Sequence, residues 1–300
     1  PGTGFVYRQG TQLMIDGSPW YFVGTNNFGL TGCQSPLGAH TYAQMVSFFE
    51  GLRATNCVPR VWCFPHSNAT DIDNCVAAAA ATGQRIAMVL FEGAGHCGIN
   101  YTANRAWYQN PANTYTWIDY ICDRHKTATC IAFWECANEM GQGSGGDMTQ
   151  AECKAWLNAV AARIKLRAPN HLVGSGCIGS WKGFHSGQAG YADVHNSIYI
   201  DMVSSHEYEY DYSGNTGVQG RHAQELAAAI SINKPIYIGE FGTSRTSGTT
   251  SVVRAQVTVQ KFTAYLNSSP AVCGVLHWST TKAYNATDPQ YGVAANETYD

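Results

Sequence analysis

Charge is what this sequence has least of. Of its 300 residues only 13% are Asp, Glu, Lys or Arg, and 18 basic residues stand against 21 acidic ones, a net charge of -3. A protein that neutralises nucleic-acid phosphates needs a basic excess, so that class of partner is disfavoured. With 45% hydrophobic residues the chain is also no disordered polymer, which would combine low hydrophobicity with high charge. No apolar run reaches the roughly 18 residues of a membrane-spanning helix, so no membrane is expected. There is no solenoid-type repeat and no low-complexity linker. A CxxC pair is missing, as are HxH and HExxH patterns, so the usual zinc signatures are not present.

The start of the chain, at Pro1, lacks an initiator Met, a basic leader and an apolar signal core. That is expected of a mature secreted protein whose leader has been removed. Lysine is scarce, whereas 11 cysteines are many for a reducing compartment. Five Asn-x-Ser/Thr sequons, at Asn68, Asn100, Asn267, Asn285 and Asn296, fit a secreted glycoprotein. An odd cysteine count leaves at least one thiol free or paired between molecules. Cys122 and Cys130 flank a short polar loop and are a candidate local disulfide.

What is present alternates. FVYRQG and TQLMIDG read as an opening hairpin, with Asp16-Gly17 as a turn signal. Eight short apolar segments follow: WYFVGTN, CVPRVWCF, RIAMVLFE, CIAFWECANE, HLVGSGC, DMVSSHEY, PIYIGEF and AVCGVLHWS. Such runs, rich in β-branched and aromatic residues, are strands covered on both faces. Helical stretches lie between them, among them 71–81, 114–125, 149–167 and 251–266. Thr149 followed by Glu152 is a capping-box signature. Strand ends at Asn26, Arg60, Glu92, Glu139, Cys177, His206, Glu240 and Trp278 are 29 to 47 residues apart, room for one strand, one helix and two loops each. Eight such units predict a single (β/α)8 barrel over residues 1–300 with a short N-terminal hairpin. An open doubly wound sheet would want a GxGxxG turn, which GTNNFG is not. Only 22 residues follow Trp278, so the eighth helix is expected to be short, irregular or missing.

In such a barrel the functional groups gather where strands stop. Asn26, Arg60, Asn138, Glu139, His206, Tyr208, Glu240 and Trp278 all lie there. Taken singly, each has an ordinary structural explanation. As a set they are hard to explain as packing, because burying carboxylates is costly unless they are paired or functional. Glu139 and Glu240 can face each other across the mouth. Glycosidic cleavage needs two such groups, one protonated to assist the leaving oxygen and one ionised to attack the anomeric carbon. Arg60 can hold the nucleophile ionised. His206 and Tyr208 share strand parity and so point to one side.

These motifs resemble glycoside hydrolase family 5: PRVW with Arg60, CANE with Asn138 and Glu139, HEY with His206 and Tyr208, GEFG with Glu240, and LHWS with Trp278, in the family's order and at about its spacing. The resemblance implies a retaining β-glycosidase with Glu139 as acid/base and Glu240 as nucleophile. It implies Asn138 on the sugar 2-hydroxyl, Arg60 and Tyr208 supporting the nucleophile, His206 lining the site, and Trp278 under the sugar. Retention predicts carboxyl groups about 5–5.5 Å apart. No metal or organic cofactor is implied, and the partner is a carbohydrate substrate on a monomeric enzyme.

GTNNF, VPRVWCF and FWECANEM look most like the β-mannanase branch, with Asn26 and Asn27 near the glycone side. Trp62, Trp107 and Trp134 offer stacking surface or ordinary core, and Tyr199 and Trp181 offer cleft lining or loop packing. Two positions depart from the family pattern: Met140 stands where Pro is usual, and Glu92 ends the third strand where many relatives show His, with His96 four residues on. Glu92 is read as a sugar-binding carboxylate or an ion-pair partner. The HEYEYD run and the LHWST ending differ from mannanases, which keeps an endo-β-1,4-glucanase or an exo-acting β-glycosidase open. Two rivals remain: a metal-dependent barrel hydrolase, which a chelator would inactivate, and a carbohydrate-binding barrel without catalysis. Against the first, Glu207, Glu209 and Asp211 alternate with His206 and point the other way on a strand.

Overall fold

All eight apolar segments form parallel strands, each paired with its neighbours. The computed structural model describes residues 4–33, 39–53, 57–97, 105–140, 148–180, 187–208, 220–243, 250–281 and 293–294. It opens with an antiparallel meander of β1 (Tyr7–Gln9), β2 (Gln12–Ile15) and β3 (Ser18–Trp20). Asp16 and Gly17, at φ 46° and 82°, make the two-residue turn, but between β2 and β3. The expected hairpin therefore has a third strand, which takes Trp20 out of the first barrel strand.

The barrel strands are β4 (Phe22–Asn27), β5 (Cys57–Trp62), β6 (Ile86–Val89), β7 (Ile131–Glu135), β8 (Leu172–Gly174), β9 (Val203–Glu207), β10 (Ile236–Phe241) and β11 (Val272–His277). Their order is β8-β7-β6-β5-β4-β11-β10-β9. The seam between β8 and β9 is joined by a parallel bridge, Gly174 to Met202. There the Ser175 N–H donates to the Met202 carbonyl at 3.3 Å and the Met202 N–H to the Val173 carbonyl at 3.2 Å. Eight parallel strands nearly closed on themselves, with helices between, make a (β/α)8 barrel.

The helices are α1 (Tyr42–Arg53), α2 (Ala69–Thr82), α3 (Arg105–Gln109), α4 (Tyr115–His125), α5 (Gln150–Arg167), α6 (Gly187–His195), α7 (His222–Ser231) and α8 (Ser251–Ser268). The stretches read from sequence fall within about two residues of α2, α4, α5 and α8. Thr149 and Glu152 form the reciprocal capping box on α5, which satisfies otherwise orphaned N–H groups. Asn68, one of the sequon residues, caps α2 by accepting the Thr70 N–H at 2.9 Å. The eighth helix was expected in a segment that lies mostly outside the described residues.

Strand alternation sorts the core into layers. Inside the barrel lie Phe22, Val58, Phe133, Leu172, Met202, Tyr237 and Leu276, closed from below by Val6 and Leu13 of the meander region. Between sheet and helices lie Val61, Met88, Trp134, Val173, Ile238 and the inward faces of α2, α4 and α5. A third cluster, Phe28, Cys33, Trp62, Phe64 and Val89 with Trp278 and Cys97 against it, sits at the mouth.

Two alternatives from the sequence are corrected here. Cys122 and Cys130 are both free and buried. Cys122 packs in the helix-facing core, and the Cys130 thiol donates to the Val76 carbonyl at 3.6 Å, so each sulfur is committed elsewhere. The disulfide present is Cys33–Cys97, which spans 64 residues. Trp134 is fully buried on the outward face of β7 and so is no stacking surface, whereas Trp107 and Tyr199, half-buried, pack against the same helix-facing core. Trp181 lies outside the described residues.

Candidate active site

Arg60 organises the mouth of the barrel. It follows Val58 on the inward face of β5, and its guanidinium is fully buried. Nη1 donates to Asn26 Oδ1 at 2.8 Å and to Glu240 Oε1 at 2.9 Å. Nη2 donates to Asn138 Oδ1 at 2.8 Å, and Nε to Glu135 Oε2 at 3.0 Å. Nη2 also meets Glu135 Oε1 in a short ion pair. Burial alone would lower the pKa of Arg60, but the charges of Glu135 and Glu240 outweigh it and raise the net value. The group is a permanent buried cation.

Glu135 and Tyr237 belong to this network and are not found by reading strand ends. Glu135 is fully buried, and the Tyr237 hydroxyl donates to its Oε2 at 2.6 Å. The available signal is a carboxylate inside the apolar run IAFWE, on the inward parity of Phe133. Such a residue must have a cation opposite it.

The two predicted carboxylates meet, and neither is aimed by simple alternation. On β10, Tyr237 points in while Ile236 and Ile238 point out, so Glu240 should also point out. The register against both neighbours shifts between Ile238 and Phe241, and this irregularity turns Glu240 into the mouth. Gly239 makes room: a Cβ there would sit 2.7 Å from His206 Nε2. Glu139 lies four residues beyond the end of β7, at φ 52°. A left-handed conformation in a non-glycine residue is a local strain of about 1–2 kcal/mol. It is held by flanking bridges of Asn138 to Glu92 and Met140 to Cys177. Met140 itself is fully buried in the helix-facing core.

One oxygen of Glu139, one of Glu240 and a ring nitrogen of His206 lie within 4.8 Å of one another. His206 Nδ1 is 2.9 Å from Glu139 Oε1 and 3.5 Å from Glu240 Oε1. Burial lowers the His206 pKa, with the charge of Glu240 pulling the other way. Tyr208 donates to Glu240 Oε2 at 2.9 Å. Burial pushes the Glu240 carboxyl up to about 7; His206, Arg60 and the Tyr208 hydrogen bond oppose the rise, and the charge of Glu139 adds to it. The trio Glu139, His206 and Glu240 has the donor types of a metal site, but the Arg60 guanidinium already fills the electrostatic role a cation would play beside Glu240.

The other predicted residues are placed as follows. Asn26 Nδ2 donates to the carbonyls of Gly239 at 3.0 Å and His277 at 3.2 Å, which braces β4 against β10 and β11. Asn27 is buried at the end of β4, its side-chain N and O without a hydrogen-bond partner among the described residues. Glu92 is buried with its carboxylate accepting the Ala94 N–H at 2.6 Å and Asn138 Nδ2 at 3.2 Å. Asn138 is thus fixed from both ends of its amide. Trp278 stacks on Phe28 with centroids 5.5 Å apart and adjoins Trp62 at 5.8 Å, and Arg60 lies 4.7 Å over the Trp62 ring. Glu207 points outward to a buried pair with Lys261 at 2.8 Å, as its parity requires, while Glu209 and Asp211 lie outside the described residues.

Several known proteins are similar to this chain. A protein of Aspergillus terreus described as "Probable mannan endo-1,4-beta-mannosidase C" is 25% identical over 296 residues, covering 80% of this chain and 73% of that protein. The fold superposes on an endo-1,4-β-mannanase from Rhizomucor miehei with a TM-score of 0.78 at 20% identity, covering 98% of this chain and 95% of that one. An endoglucanase catalytic domain from Thermobifida fusca superposes with a TM-score of 0.64, also at 20% identity, covering 95% of this chain and 89% of the other. The family model for cellulase (glycosyl hydrolase family 5) matches residues 63–283, nearly three-quarters of the sequence, and the chain belongs to that family.

Proposed function

We propose that this protein is an endo-acting β-1,4-mannanase that works by a retaining double displacement, with Glu240 as nucleophile and Glu139 as acid/base. The observation that carries the reading is the carboxylate pair across the barrel mouth, with facing oxygens within 4.8 Å. That separation suits direct attack; an inverting pair needs roughly 6.5–9.5 Å to admit a water.

Unequal donors support the division of labour. Glu240 receives hydrogen bonds from a permanent cation, Arg60, and from Tyr208, which favour its anion. Glu139 Oε1 faces the His206 imidazole at 2.9 Å. The proposed cycle begins with the pair's single proton on Glu139 and the negative charge on Glu240. In the first step Glu240 attacks C1, the C1–O bond breaks, and the Glu139 proton moves to the leaving oxygen. In the second, Glu139 takes a proton from water, the hydroxide attacks C1, and the ester to Glu240 breaks. Asn138, its amide fixed between Arg60 and Glu92, is placed for the sugar 2-hydroxyl, and Trp278 for the apolar face of the ring. Mannan as substrate rests on the relatives from Aspergillus terreus and Rhizomucor miehei, with the Thermobifida fusca endoglucanase marking cellulose as the alternative.

The reading is tested by incubating the protein with mannan, cellulose, xylan and aryl β-glycosides and following product anomers by NMR. Retained β-anomers released from within mannan support it, whereas cleavage of cellulose alone moves the assignment to a glucanase and release from aryl glycosides alone to an exo-enzyme. A polymer substrate also fits a secreted, monomeric enzyme, and no helix among the described residues is long and apolar enough to cross a membrane. Light scattering on the purified chain, at 32.5 kDa per copy, tests the monomer.

Two variants separate the roles. Glu139→Gln removes the proton donor and base, so turnover of mannan should fall by about 10²–10⁴. A dinitrophenyl β-glycoside, whose leaving group needs no proton, should still give a burst of one phenolate per enzyme followed by slow release; equal losses on both substrates would count against this role. Tyr208→Phe removes a bond that favours ionised Glu240, so the Glu240 pKa rises and the acid limb of kcat/KM moves to higher pH, by about one unit. An unmoved acid limb would show that this carboxylate does not set it.

A further inference from the structure

The sequon Asn68-Ala69-Thr70 is a motif that the catalytic reading leaves unused. Just beyond β5 the chain makes a tight turn, with the Ser67 N–H donating to the Phe64 carbonyl at 2.9 Å. Phe64 is fully buried and stacks on Trp62 with centroids 5.3 Å apart, so one end of the turn is anchored in the cluster at the mouth. The chain beyond it comes to the surface, and Asn68 and Thr70 are both exposed. Asn68 is extended, at φ -67° and ψ 125°, and its carbonyl accepts the N–H groups of Asp71 at 3.0 Å and Ile72 at 3.2 Å. Its side-chain Oδ1 accepts the Thr70 N–H at 2.9 Å. The first residue of the sequon is thus folded onto the third in an Asx turn. Both acceptors of Asn68 are in use, whereas Nδ2 makes no hydrogen bond to the described residues. Asn267, the other sequon residue among the described ones, lies inside the last turn of α8, where backbone N–H groups point back to the helix's own carbonyls and leave no room for such a turn. Asn100, Asn285 and Asn296 lie outside the described residues.

We propose that Asn68 is a site of N-linked glycosylation, carrying an oligosaccharide through Nδ2 at the start of α2, on the outer rim of the barrel mouth. The inference rests on the secreted reading above and not on which polysaccharide the mouth cleaves. The donor is an oligosaccharide on a lipid diphosphate. Nδ2 bonds to the first carbon of that oligosaccharide, the bond from this carbon to the phosphate oxygen breaks, the lipid diphosphate leaves, and Nδ2 gives up one of its two protons. Nothing is oxidised or reduced. The product keeps Oδ1 and one N–H, so the bond to Thr70 that caps α2 survives the modification. The folded chain therefore accepts the glycan without losing a hydrogen bond. Space is available as well, since Pro65 and His66 in the preceding turn are exposed. Composition supplies a physical role. With only 13% charged residues the surface has little of the charge that keeps proteins soluble, and a bulky hydrophilic glycan serves the same end.

The test secretes the full chain from a yeast host and treats it with peptide N-glycosidase in heavy-oxygen water. This converts each glycosylated Asn to labelled Asp, which peptide mass spectrometry locates. Label at Asn68 is expected. Two variants remove the glycan and spare the cap: Asn68→Asp keeps the capping oxygen, and Thr70→Ala removes the hydroxyl of the sequon but not the backbone N–H that Asn68 accepts. Each should migrate as a species smaller by one glycan, and each should melt within about 2 °C of the enzymatically deglycosylated wild type. Asn68→Ala loses glycan and cap together and should melt about 2–4 °C lower. An unlabelled Asn68, or label at Asn267 in preference to it, overturns the proposal. Should the host fail to secrete the chain, translation in the presence of microsomes decides: the wild type should gain one glycan more than Asn68→Asp, and equal migration overturns the proposal. A glycosylated protein inert on mannan defeats the mannanase reading alone, and a mannan-active protein with a bare Asn68 defeats this proposal alone.

Discussion

Glu240→Gln is expected to reduce turnover by on the order of 10⁴ or more, since no other group can form the glycosyl ester. The same substitution should stabilise the fold. The folded carboxyl titrates near 7 because burial disfavours its anion, against an ordinary value of 4.5. The folded state thus binds a proton more tightly than the unfolded chain. The cost of ionising Glu240 is absent below about pH 4.5, grows between there and neutrality, and is complete above about pH 7, where it amounts to roughly 3 kcal/mol. Glutamine does not titrate, so the variant should melt higher than wild type at pH 8 and nearly level with it at pH 4. The gain will fall short of the full figure, because an amide pairs less well with Arg60. Thermal melts at both pH values, alongside burst kinetics on an aryl glycoside, make the check. Retained turnover would remove Glu240 from the nucleophile's role, and a melting difference independent of pH would remove the account of its burial.

Arg60→Met should be the most destabilising single change at the site. The guanidinium bonds Glu135, Glu240, Asn26 and Asn138 while fully buried. Methionine of similar volume would leave Glu135 with the Tyr237 hydroxyl and no cation, and breaking a buried pair from one side costs about 3–5 kcal/mol. Arg60→Lys retains the charge but not the fork that serves four partners, so it should lose much of the same stability. The informative variant is the double one, Arg60→Met with Glu135→Leu. Removing both charges should restore most of the stability, since a buried pair contributes little net against an apolar replacement. Activity should stay lost, because Glu240 has lost its cation. Denaturant unfolding and kcat/KM measured on the same three proteins separate the two consequences. Activity recovered together with stability would mean that Arg60 is a scaffold only.

The register of the barrel was legible because buried parallel strands must be continuously apolar, and because the helices that cover them need a fixed length of chain. Asn138, Glu139, His206, Tyr208 and Glu240 stood out as polar residues interrupting such runs. The same reasoning missed Glu135 and Tyr237, which lie inside runs rather than at their ends, and it treated Trp134 as possible cleft surface although its parity on β7 turns it outward. The cysteines illustrate the limit most clearly. Cys122 and Cys130 are close in sequence yet remain thiols, while Cys33 and Cys97, 64 residues apart, are joined because two rim loops meet at the mouth.

Composition, periodicity and motif spacing by themselves determined the fold class, the end of the barrel that carries the chemistry, and the residue types gathered there. Which way each of those residues points was decided only by the tertiary structure. Glu240 enters the mouth through a register shift that no pattern of period two contains, and Glu139 through a left-handed residue beyond the end of its strand. The physical reason is that alternation is a local property of one strand, whereas a bulge or a strained φ survives only when neighbours across the sheet supply the hydrogen bonds and packing that hold it.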